Sequence, residues 1–333
     1  MTFENIIADL KNRIYHPIYF LTGDEPYYID LITDYIAANL LSEAEKAFNL
    51  TIIYGKDVNA GAVMNHAKRF PMMANHQVVI VKEAQEMGQF EDLIHYVEHP
   101  LKSTVLVLNY KYKSPDKRKK VFKLLQEKAV YFESKKLYDD KIPGWINAYV
   151  AAKKYTIQPK AAALVAEFLG SDLSKIVNEL EKLIISLDAN EKSITPAHVE
   201  RIIGISKEFN QFELQKALGK KDVLTANRII NYFGQNQKNN HISQTISSLY
   251  FFFSKLLIYY YTEDKSKQNI AAVLKVNPFF VADYVEAARN YPAKKLVEII
   301  ALLREYDLKS KGYDGAAQEA GDLLKELVFK ILH

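Results

Sequence analysis

A chain of 333 residues has room for two or three domains. Its 49% hydrophobic and 25% charged residues, with only 12 Gly and 10 Pro, exclude a disordered, collagen-like or low-complexity protein. The absence of cysteine excludes disulfides, thiolate metal or iron–sulfur sites and thiol nucleophiles, and the net charge of +4 is too mild to indicate a nucleic-acid partner by its sum. Glu4, Asp9, Lys11 and Arg13 interrupt the first twenty residues, unlike the apolar core of a signal peptide. No apolar run approaches the ~18–20 residues that cross a bilayer. A cytoplasmic location and no membrane partner are therefore expected.

In chain order, β-branched and aromatic runs fall at His16–Gly23, Asn49–Gly55, Gln77–Val81, Thr104–Tyr110 and Val130–Glu133. Between them, stretches with 3.6-residue apolar spacing cover roughly 26–46, 57–69, 88–99 and 115–128. Strands separated by helical crossovers predict a five-stranded parallel sheet covered on both faces. After Asp139-Asp140-Lys141-Ile142-Pro143 the strand pattern stops, and nearly everything to His333 reads as helix. Ser171-Asp172 and Thr195-Pro196 supply helix starts, and Gly204 with Ser206-Lys207-Glu208 supplies a further boundary. The expected organisation is an α/β domain at 1–140, a small helical domain at 141–205 and a larger helical domain at 206–333.

The first strand runs into Thr22-Gly23-Asp24-Glu25-Pro26, where a nucleotide-binding sheet places its phosphate loop. The GxxxxGK[ST] pattern is missing, no lysine follows the glycine, and Asp24 and Glu25 put negative charge where phosphates would sit. These carboxylates are better read as partners of the positive helix N-terminus, which argues against ATP binding in the usual manner. No HExxH or GxSxG occurs, His95 and His99 lack a third metal ligand, and Glu179 and Glu181 lie on a Lys-flanked amphipathic helix. No catalytic residue, cofactor or metal is expected.

Three features stand apart. Lys111–Lys120 holds six basic residues in ten, among them Lys117, Arg118, Lys119 and Lys120. It is either a solvated helix start or, because cations oppose the dipole there, a contact for an anionic partner. Phe70-Pro71-Met72-Met73-Ala74 puts two adjacent large apolar residues in a short loop, either as core filler or as an exposed binding site. Lys309-Ser310-Lys311-Gly312-Tyr313 reads as an ordinary surface loop or as a tyrosine that stacks on a base while lysines meet phosphate.

IYFLTGDEPYYID (18–30), FNLTIIYGKDV (48–58), RFPMMANHQVVIVKEA (69–84), DKRKKVFKLL (116–125), PGWINAYV (143–150) and FLGSDLSKIVNELEKL (168–183) together resemble the delta subunit of the bacterial DNA polymerase III clamp loader, the HolA family. The resemblance spans essentially the whole chain. It implies an AAA+-like N-terminal domain with a decayed nucleotide site, then a helical lid and a helical collar. It also implies a subunit that hydrolyses no ATP itself, binds the ring-shaped beta sliding clamp and helps open it. The implied partners are the gamma/tau and delta prime subunits, with primed DNA inside the complex. The family's clamp-binding pair maps onto Met72 and Met73, flanked by Phe70 and Pro71; many members carry Phe where this chain has Met73. The competing expectation is an ATPase-type AAA+ clamp-loader or helicase-loader subunit, which needs the P-loop missing here. A stand-alone nucleic-acid-binding protein would need a stronger basic excess.

Overall fold

The structure is a computed structural model that describes residues 1–188, 191–204, 209–238, 240–313 and 319–333. The five β-branched runs form β1 (Ile18–Gly23), β2 (Leu50–Tyr54), β3 (Gln77–Lys82), β4 (Thr104–Lys111) and β5 (Val130–Ser134). They pair in parallel in the order β2-β3-β4-β1-β5. This is the five-stranded parallel α/β architecture that the sequence predicts, with each strand within two residues of its expected bounds.

Alternation along the strands builds two cores. Ile18, Phe20, Val79, Val81, Leu106 and Leu108 face α4 (Ala60–Ala67) and α6 (Lys120–Lys128). Tyr19, Leu21, Val78, Ile80, Val105 and Val107 face α1 (Phe3–Lys11) and α2 (Pro26–Asn39). Because both faces are covered, β1, β3 and β4 read as continuous apolar runs rather than alternating ones. Phe20 is fully buried among the rings of Tyr110, Phe122 and Tyr131, with centroids 5.6–5.9 Å away. Burial of such a side chain contributes about 1.5–3 kcal/mol.

Helix boundaries differ from the periodicity. The stretch 26–46 is two helices, α2 and α3 (Glu43–Asn49), because Ser42 and Glu45 form a reciprocal capping box that starts a new helix. The stretch 57–69 shortens to α4, capped by Asn59. The stretch 88–99 is a 3₁₀ turn, Phe90–Leu93, followed by α5 (Ile94–Val97). The last stretch is helical only from Lys120, so the basic run lies mostly before α6.

The chain divides into two units, Met1–Tyr138 with Ser171–Asn178, and Asp139–Gly170 with Glu179–His333. In the second unit follow α7 (Ile142–Ala152), α8 (Pro159–Leu169), most of α9 (Leu173–Ser186) and α10 (Pro196–Ile203). Two-residue strands β6 (Thr156–Ile157) and β7 (Ser193–Ile194) pair in parallel, a correction to the helix-only expectation; two residues are too few to show alternation. Thr195 caps α10 and Gly204 ends it at φ +82°, as expected. The boundary expected at Ser206-Lys207-Glu208 lies outside the described residues.

The rest of this unit is α11 (Gln211–Gly219), α12 (Val223–Gln235), α13 (Ile242–Tyr261), α14 (Lys267–Leu274), α15 (Val281–Asn290), α16 (Ala293–Ser310) and α17 (Ala320–Leu332). They surround a core that includes Phe233, Phe253, Tyr291, Leu303 and Leu327. The aromatic helix α13 buries Leu249, Phe252, Phe253 and Leu256, yet leaves Tyr250, Phe251, Ile258 and Tyr261 exposed. Among the described residues, no helix is long and apolar enough to cross a membrane.

Candidate partner-binding loop

Helix α4 ends at Ala67, and the chain crosses to β3 through the loop that holds Phe70, Pro71, Met72 and Met73. Phe70 is 80% exposed, Met72 60%, and Met73 fully so. The core-filler reading is thereby excluded. Met73 occupies the left-handed region at φ +52°, which disfavours a side chain by roughly 1–2 kcal/mol. Such a conformation persists only where the surroundings impose it.

Here they do. Asn49, buried at the end of α3, accepts from the Met72 N–H at 2.7 Å and donates through Nδ2 to the Met72 carbonyl at 2.9 Å. The same Nδ2 reaches the Glu45 carbonyl at 3.0 Å, tying the loop to a helix fixed by its own capping box. At the loop's base, Gln77 Nε2 lies among the carbonyls of Ala67 and Arg69 and the Thr104 hydroxyl, and Thr104 Oγ1 donates to Ala67 at 2.8 Å. Apolar side chains thus stand in solvent on a backbone held from beneath by buried amides. Neither Asn49 nor Gln77 is singled out by the sequence, since one polar residue at a strand start carries no pattern.

This arrangement makes Asn49→Ala informative. Losing three hydrogen bonds at a buried site is expected to destabilise the fold by about 1–3 kcal/mol. Freeing the loop should also weaken binding of any partner to Met72 and Met73 about tenfold, because ordering entropy then falls on association. Melting and partner titration on one preparation check both; unchanged affinity would mean that the pinned geometry is irrelevant.

At the β1–α2 junction, Glu25 is the N-cap of α2 and accepts from the Tyr27 N–H at 3.0 Å. Burial pushes its carboxyl above the ordinary range, against the Tyr27 N–H, which favours the charged form. Glu25 therefore occupies the helix N-terminus as expected, whereas Asp24 is exposed and lines a cleft of about 350 Å³ with Thr22, Gly23, Ser134, Lys135 and Lys136.

The basic run is charge-compensated. Lys117 lies 4.0 Å from Glu133, Arg118 holds Asp116 at 2.9 Å, Lys119 pairs with Glu91, and Lys120 lies 3.7 Å from Glu98. The Arg118 guanidinium brings the Asp116 carboxyl down to about 2. These pairs are exposed, so each contributes little to stability. Lys309 and Lys311 pair at 2.6 Å with Glu305 and Asp307 one turn earlier, while Tyr313 is exposed beside Gly312. His95 and His99 face solvent, and among the described residues no group of three His, Asp or Glu could hold a metal.

The sequence models of the family described as "DNA polymerase III, delta subunit" match residues 19–135, and its C-terminal domain matches residues 208–324. The chain belongs to the DNA polymerase III delta subunit family. The first of these matches includes both the Met72–Met73 loop and the β1–α2 junction. DNA polymerase III subunit delta of Bacillus subtilis (strain 168) is 27% identical over 322 residues, covering 93% of this delta-family chain and 92% of that relative. The solved structure of the Bacillus subtilis DNA clamp loader delta protein shares the fold at a TM-score of 0.53, with 23% identity and 99% of each chain covered.

Proposed function

We propose that this delta-family chain is a clamp-loader subunit that binds the beta sliding clamp through Met72 and Met73, with Phe70 and Pro71 beside them. The observation that carries this reading is the exposure of three large apolar side chains on a loop pinned by Asn49 and Gln77. Methionine is unbranched and polarisable, so the pair can enter an apolar clamp pocket at little shape cost. A subunit that binds the open ring better than the closed one shifts the ring toward opening by that difference in free energy, with no chemistry of its own.

The reading assigns residues 1–140 to clamp binding, 141–205 to a lid and 206–333 to a collar that joins gamma/tau and delta prime. The aromatic face that α13 leaves exposed supports the collar role. ATP hydrolysis is left to partner subunits, because Glu25 caps α2 where a phosphate would sit and no P-loop lysine follows Gly23. Lys117, Arg118, Lys119, Lys120, Lys309, Lys311 and Tyr313 are secondary candidates for primed DNA or a neighbouring subunit. The carboxylates that now pair with these lysines and with Arg118 would be exchanged for phosphates, in a cytoplasmic replication complex.

Retention of the purified chain on immobilised beta clamp at moderate salt tests the proposal. Specific retention, competed by free clamp, is the expected result. No retention, with saturable ATP binding instead, would favour the ATPase-type loader.

A further inference from the structure

In the second unit, α8 carries Glu167 on the wall of a small cavity it shares with α11, α12 and the start of α13. Both Glu167 carboxylate oxygens are buried, and among the described residues no protein donor reaches them. Across the same cavity stands Gln211, itself 5% exposed. Its Nε2 donates to Thr245 Oγ1 at 2.8 Å, which leaves Oε1 buried and unpartnered as well. A carboxylate and an amide oxygen are thus two acceptors lining one space, and neither has a hydrogen-bond partner among the described residues. Leaving such groups unsatisfied is costly, which calls for a counter-charge or a donor.

Among the described residues, the other polar walls are Asn210, Tyr232, Asn240 and Gln244. All can offer oxygen, the ligand type of hard cations. The cavity volume, about 50 Å³, has room for an ion with one or two waters. One carboxylate balances one positive charge, whereas a divalent ion would leave a net charge buried. We propose that the Glu167–Gln211 cavity binds a monovalent cation of the size of sodium or potassium.

A proton competes for the same oxygens. Burial pushes the Glu167 carboxyl up to about 8, and among the described residues Tyr232 is the other ionisable side chain on the cavity wall. Without a cation, the raised value means that folding stability is full below the ordinary carboxylate range and falls as pH rises toward 8. A bound cation offsets that loss, so its effect grows with pH.

The test is thermal melting of the full chain at pH 9 in potassium, sodium or N-methyl-D-glucamine chloride at equal ionic strength. The small cations should raise the melting temperature saturably by about 4 °C over the bulky one. The gain should shrink at pH 6 and vanish in Glu167→Gln, which keeps the shape and removes the charge. Equal melting in all three salts at pH 9, or a gain that survives in Glu167→Gln, overturns the proposal. If that variant does not fold, crystals of the unsubstituted protein soaked in thallium(I) decide the matter: an anomalous peak between Glu167 and Gln211 supports the site, and its absence overturns it.

Discussion

Replacing both Met72 and Met73 with alanine is expected to lower affinity for the beta clamp at least about 100-fold while moving the melting temperature by about 1 °C or less. Each methionine that enters a clamp pocket contributes about 1.5–3 kcal/mol of apolar burial, and adjacent residues need not add. The fold, by contrast, has little at stake, because both side chains stand in solvent already. Met73→Gly separates the two roles further. Glycine accepts the φ of +52° without strain, so the variant should fold slightly better than the parent and still lose clamp affinity. Met73→Phe should preserve or tighten binding. Calorimetric titration against clamp, with melting on the same samples, reads every arm. Normal affinity in a folded double variant would remove the pair from the mechanism.

Gly23→Ala should be the most damaging single substitution at the β1–α2 junction. An added Cβ would lie 2.0 Å from the Ser134 carbonyl oxygen and 2.8 Å from the Ser134 nitrogen, and the φ of +126° is closed to L side chains. The obstacle is backbone, so relief requires prising β1 from β5. A loss of about 4 kcal/mol or more and a melting temperature lower by roughly 10 °C are expected. Gly144→Ala provides the contrast: nothing lies within 4 Å of its added Cβ on the exposed side of α7, and alanine should stabilise by about 0.5 kcal/mol. Similar melting of the two variants would show that the β1–β5 approach is not as close as described.

Much of this protein was legible before any coordinates. Runs such as QVVIV and TVLVL are continuous because helices cover both faces of the sheet, and that local chemistry specifies buried parallel strands. Thr195 with Pro196, and Gly204, specify helix ends through groups within a turn of one another. The missing lysine after Gly23 is likewise a matter of sequence alone.

Exposure was not. Nothing in FPMMAN distinguishes a buried methionine pair from a presented one; the difference is made by Asn49, 23 residues away, and by Gln77 and Thr104 beneath the loop. The basic run leaves open a solvated helix start or an anionic partner, because its ion partners Glu91, Glu98 and Glu133 come from other segments. Glu167, two residues past the buried stretch Ala161–Val165, reads as a surface carboxylate until α11 and α12 close over it. Periodicity and capping act within a few residues and are written in the sequence. Hydrogen bonds and burial between distant segments exist only once the chain has folded, and they decide which side chains meet solvent.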